Sequence, residues 1–290
     1  INMAGNSSSG IRVFSAGTGD ISVYNAGKIT LEQGYTGDYD NTESSAILMQ
    51  TYADQIAAEN ITMTAVNDGE IVVKGVTSHG IHAESNMDSG TMDIRNNGLL
   101  TVDGSDSFGI KAMIAERPNV SGTAEMLIVN SGTLSLGAGA ANSTGILARN
   151  SEMLGDATVW NQGELTIAGS NAGAISMFGG NNATVLNQGL IATADGSAIL
   201  AESNHGETLV VNQGDILAAS LTGSTPVYGI NAISNYGTAG VYYETGTLKV
   251  SGENSTAIAV SGSNGQSVQL ASGTHVDAAA GLGGVAMTGS

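Results

Sequence analysis

Cysteine is absent from the 290 residues, proline occurs twice, and aromatic side chains make up 4% of the chain. Without cysteine there is no disulfide framework and no thiolate metal site. With so few large rings, a thick globular core has little to fill it, and a thin core of stacked Val, Ile, Leu and Ala suits the composition better. Basic residues are scarce too: 8 Lys and Arg against 26 Asp and Glu give a net charge of −18. Such a field repels phosphate and argues against nucleic acid as a partner. No run of about 18 apolar residues and no signal peptide is present.

What the chain has in quantity is glycine, 42 residues, and much of it is periodic. Thr158 to Ile167 shows the unit: an apolar run, then Asn161-Gln162-Gly163, then a strand whose apolar residues fall two and four places after the glycine. The same spacing recurs at Val23 to Leu31, Val66 to Val73, Ile94 to Val102, Ile128 to Leu136, Val185 to Ile191 and Val210 to Ile216. Glu replaces Asn in the copy from Tyr242 to Val250, and a weaker copy runs from Val268 to Val276. Each is followed by a third short strand opening on Gly or Ala and an aliphatic, as in Gly80-Ile81, Gly109-Ile110, Gly145-Ile146 and Ala198-Ile199. Successive corners lie 25 to 42 residues apart, the range of solenoids and arrays.

Within each unit the apolar residues alternate with period two, and the segments are short and rich in Val, Ile and Thr, so they read as strands. Only Met113 to Arg117 and Tyr52 to Glu59 leave room for a turn of helix. Three short strands cannot bury an apolar face alone, whereas stacked units build a continuous core. The fold expected is an all-β, right-handed, three-sided parallel β-helix, its hand taken from the general bias of parallel crossovers. Residues 1–290 read as a single such domain of about nine to ten rungs, roughly 45 Å long at the spacing of paired strands. Loop insertions are expected near residues 33–45 and 51–60. Both ends of the chain read as strands within a rung, so it looks like a piece of a longer rod.

Asn and Gly at the corner are expected because both tolerate positive φ. Asn25, Asn67, Asn130, Asn161, Asn187 and Asn212 are expected to stack in an inward ladder, with Gln162, Gln188 and Gln213 in a parallel outward one.

A Val-x-Asn-x-Gly-x-Ile/Leu-x-Ile repeat followed by Gly-Ile-x-Ala, in an acidic chain rich in Gly, Asn, Ser and Thr and free of cysteine, resembles the passenger domain of bacterial autotransporters of the pertactin-like and diffuse-adhesin-like group. The resemblance covers nearly the whole chain but is carried by a fold signature, which fixes architecture better than activity. It implies display at the bacterial cell surface or secretion from it, with export through a carboxy-terminal membrane barrel in the full-length protein. It also implies a non-enzymatic adhesin that binds a host matrix protein or glycan, with self-association in aggregation or biofilm and a part in virulence. A glycan-degrading β-helix enzyme and a passive stalk presenting another domain are the alternatives. The Asn-Thr-Asp, Asp-Asp, Gly-His-Gly and Arg-Ile-Lys set of polygalacturonases and the Gly-Asp-Ser-Gly setting of serine-protease passengers have no counterpart here. No catalytic residue, cofactor or metal ligand set is therefore assigned. Asp38-Tyr39-Asp40-Asn41 and Asp103-Gly104-Ser105-Asp106 place oxygen ligands in turns without completing a calcium loop.

Two surfaces emerge as candidate binding faces. If Ile11, Ile81, Ile110 and Ile146 point inward, alternation turns Arg12, His82, Lys111 and, beyond Leu147, Arg149 toward solvent, a stripe suited to an anionic or hydroxyl-rich glycan. Just before each corner Asn, the column Tyr24, Val66, Arg95, Val129, Trp160, Leu186, Val211 and Tyr243 would form an apolar and aromatic ridge suited to a protein or to sugar rings.

Overall fold

The computed structural model describes residues 1–4, 8–17, 19–32, 43–52, 60–115, 122–220, 226–279 and 283–288. Three parallel sheets wrap one another, with ten, ten and nine strands among these residues. The chain visits them in strict rotation, so each strand pairs with the strand three places later in sequence. One rung shows the pattern. Gly173–Gly179 lies on side B, Ala183–Asn187 on side C and Leu190–Asp195 on side A. This is a three-sided parallel β-helix. The insertions expected near 33–45 and 51–60 lie mostly outside the described residues, as does the acidic turn Asp38 to Asn41. Met113 and Ile114, offered above as the start of a helical turn, are strand residues.

Like stacks on like in the interior. On side B, Ile47, Ile81, Ile110, Ile146, Ile175, Ile199, Ile230 and Ile258 follow one another in register, all buried. Side A adds Ile29, Ile71, Leu100, Leu134, Leu165, Ile191, Ile216 and Leu248. A rung has no core of its own. Its aliphatic layer is shielded from water only by the rungs above and below, which is why the repeat must be stacked to be stable.

The corner between sides C and A holds a continuous Asn ladder. The side-chain amide of Asn25 donates to Asn67 at 2.7 Å, and the chain of bonds continues through Asn96, Asn130, Asn161 and Asn187 to Asn212. Asn96 is a member that the pattern reading left out. The backbone reason given above for this corner is corrected. None of these asparagines has positive φ, and the glycine two places on is required by contact: a Cβ on Gly163 would stand 2.0 Å from the carbonyl oxygen of Gly132 in the neighbouring rung. Among the described residues, positive φ at non-glycine positions falls mainly in the turn entering side B, at Thr77, Asp106, Asn142, Asn171 and Asn254, and at the corner between sides C and A it is confined to Gly246 and Gly273 in the last two copies.

Candidate functional site

On side B, alternation from the buried isoleucines sends two columns of side chains outward. One runs Arg12, Leu48, His82, Lys111, Leu147. The other, two residues along each strand, runs Phe14, Gln50, Glu84, Met113, Arg149, Phe178, Glu202. Between them, over the first four rungs, lies a recess of about 660 Å³ lined by Arg12, Gln50, Tyr52, His82, Glu84 and Lys111.

Its floor is a buried cluster. His79 and His82 are 0% and 6% exposed, their rings edge to face at 5.3 Å. Glu43, just before the strand Ser44–Thr51, reaches across the rung that carries both histidines. Its carboxylate accepts from Lys111 Nζ at 2.8 and 2.6 Å and lies 2.8 Å from His79 Nε2. The Phe108 backbone N–H donates to His79 Nδ1 at 3.3 Å, which leaves the imidazole proton on Nε2, donated to Glu43. Burial pushes the Glu43 carboxyl up, but the bond from His79 and the Lys111 ammonium pull harder and hold it down at about 2. His82 is held neutral: burial first, then the charge of Lys111, lowers its pKa to about 3.

Glu43, His79 and His82 present ligand atoms within 4.8 Å of one another. The set fits an ammonium better than a metal. Lys111 Nζ already stands 2.6 Å from Glu43 Oε2, and His79 has its acceptor nitrogen turned to Phe108 and its donor to Glu43, so neither is a free lone pair for a metal.

The wall of the recess is a mixed polar and aromatic group. Tyr52 donates to Glu84 Oε2 at 2.8 Å, and Gln50 Nε2 lies 3.2 Å from the Tyr52 hydroxyl. Burial and the bond to Glu84 push the Tyr52 phenol up to about 12. Phe14, 53% exposed, sits with its ring 6.1 Å from that of Tyr52. His82 Nε2 has no hydrogen-bond partner among the described residues and lies 4.0 Å from Glu84 Oε2, beyond bonding distance.

The stripe read from sequence is thus divided. Arg12 and Arg149 are exposed, Lys111 is mostly covered and tied to Glu43, and His82, placed toward solvent above, is buried beneath that pair. Phe14, Glu43, Gln50, Tyr52 and His79 were not picked out as site residues. Glu43 and Lys111 are 68 positions apart in sequence, and no local pattern links them.

The ridge on side C needs a correction. Tyr24, Val66, Arg95, Val129, Trp160, Leu186 and Val211 stand in register, but the next member is Tyr242. Tyr243 stacks on Asn212 and is fully buried. Tyr24 is exposed, Val129 is buried and Trp160 is half-buried, with its indole N–H donated to Gln188 Oε1 at 3.0 Å. Gln162, Gln188 and Gln213 are exposed, and Gln188 Nε2 donates to Gln213 Oε1 at 2.8 Å. In the turn from Asp103 to Asp106, the Asp103 carboxylate accepts the Gly139 N–H at 3.0 Å and so closes on backbone.

A family model, the BigA third pectate lyase-like domain, matches residues 1–223; it describes a β-helix type of domain from bacterial surface proteins. No curated protein and no solved structure matches the chain.

Proposed function

The chain belongs to the family of the BigA third pectate lyase-like domain, and from that premise we propose that it is a non-enzymatic adhesin of the bacterial cell surface, of the autotransporter-passenger kind, that holds a glycan in the side B recess. The observation that carries this reading is the recess itself. An exposed guanidinium, an amide, a carboxylate and the Tyr52 ring converge on about 660 Å³, and the exposed Phe14 ring stands beside Tyr52 at its edge. Sugar hydroxyls both donate and accept, so they satisfy Arg12, Gln50 and Glu84 together, while Phe14 and Tyr52 offer apolar faces to the C–H side of a pyranose ring. Lys111 is neutralised by Glu43, which leaves Arg12 and Glu84 in balance and favours an uncharged sugar over an anionic one.

Binding without hydrolysis is supported by Glu43. Hydrolysis of a glycosidic bond uses a pair in which one member keeps a raised pKa and acts as acid. Glu43 is moved the opposite way, to about 2, and its oxygens are occupied by Lys111 and His79.

The test is an array of host glycans and matrix proteins probed at low and high salt. Wild type is expected to bind uncharged glycans. Replacing Arg12 and Tyr52 by Ala should weaken this by at least about tenfold, some 1.4 kcal/mol, with little dependence on salt. Binding confined to a matrix protein, and lost on replacing Trp160 and Tyr242 by Ser, would move recognition to the side C ridge.

A further inference from the structure

The outward column that starts at Phe14 and contributes Gln50 and Glu84 to the recess does not end there. After Met113 it continues without a break in register through Arg149, Phe178 and Glu202. These three line a second recess of about 320 Å³ together with Leu147 and Leu200. The guanidinium of Arg149 lies over the Phe178 ring at 5.5 Å, and Arg149 Nε donates to Ser151 at 3.2 Å. Glu202 accepts from Asn235 Nδ2 at 2.9 Å. The second recess therefore repeats the chemistry of the first: one guanidinium, one carboxylate beyond the Glu43–Lys111 pair, a half-buried aromatic ring and no net charge.

We propose that Arg149, Phe178 and Glu202 form a second sugar station, and that the two stations grip one linear, uncharged glycan laid along the axis of the rod. The proposal rests on the glycan reading above and adds the ligand's shape and least length. Phe14 and Phe178 are separated by the steps through Gln50, Glu84, Met113 and Arg149, which is about 24 Å at the spacing of paired strands. A pyranose unit in an extended chain advances by about one such step, so a chain of about six units spans both stations and a disaccharide reaches only one. Within one chain the second contact is intramolecular, and affinity rises sharply once the chain is long enough to make it. Anionic chains are disfavoured at both stations by Glu84 and Glu202, and cationic ones by Arg12 and Arg149.

Calorimetric titration with size-fractionated oligosaccharides of cellulose, chitin, xylan and mannan, from disaccharide to decasaccharide, tests this. For a series that binds, the Kd should drop by at least about tenfold as the chain passes about six units. Phe178→Ala, and independently Glu202→Gln, should erase that drop while thermal unfolding stays at the wild-type temperature. An affinity that climbs evenly with length, or a drop that survives both substitutions, overturns the second station but leaves the first. Failure of all four series to bind the wild type overturns the uncharged-glycan reading itself.

Discussion

His82 shows how a single buried side chain ties the recess to acidity. Its pKa is held at about 3 against about 6.5 in the unfolded chain. Below about pH 6.5 the unfolded state therefore takes up a proton that the native state refuses. Stability contributed by the neutral imidazole is complete above that value and declines as pH falls toward 3, with a slope of up to about 1.4 kcal/mol per pH unit. The groups facing the ring are His79, Glu43, Glu84 and Lys111. Glu43, with its own pKa depressed to about 2, adds to the loss only below about pH 4.5. Urea unfolding at about pH 7 and about pH 5 isolates His82: wild type should lose about 1 to 2 kcal/mol more than His82→Gln. Equal losses in the two proteins would assign the acid sensitivity elsewhere.

In a rung, the corner amide does what no single strand can. Asn161 accepts from Asn130 at 2.9 Å and donates to Asn187 at 2.7 Å, both away from water, and donates to the half-buried Gly163 carbonyl at 3.3 Å. Asn161→Leu keeps the size but leaves buried amide groups on both neighbouring rungs short of a partner, at about 2 to 3 kcal/mol. Gln162→Leu, one residue on in the exposed ladder, should change stability by no more than about 0.5 kcal/mol. Comparable losses from the two would mean that the inner ladder gives the rod no more than the outer one. This corner was legible in the sequence because Asn-x-Gly recurs at fixed offsets from the alternating strands. Its last member was not. Glu244-Thr245-Gly246 has the spacing of the other corners, yet Tyr243 takes the place of the Asn and Glu244 accepts from Gln213 at 2.7 Å. Pattern alone cannot tell which of two adjacent residues occupies a register position, and misplacing it by one exchanges inside for outside.

At the scale of the molecule, the same division separates fold from site. Architecture was readable because it depends on neighbours along a short repeat. The recess was only half readable, since its two outward columns follow from alternation but its cover does not. Glu43 reaches Lys111 across the rung of His79 and His82, and that closure depends on residues far apart in the chain. The account joins these levels in one claim: the outer face of side B holds an uncharged sugar chain and leaves it whole. Soaking crystals with the strongest-binding array glycan puts this to the most direct test. Electron density for an intact chain is expected over Phe14, Tyr52 and Glu84, running along the axis toward Phe178. Density over Trp160 and Leu186 on side C, or a cleaved product in the recess, would contradict it.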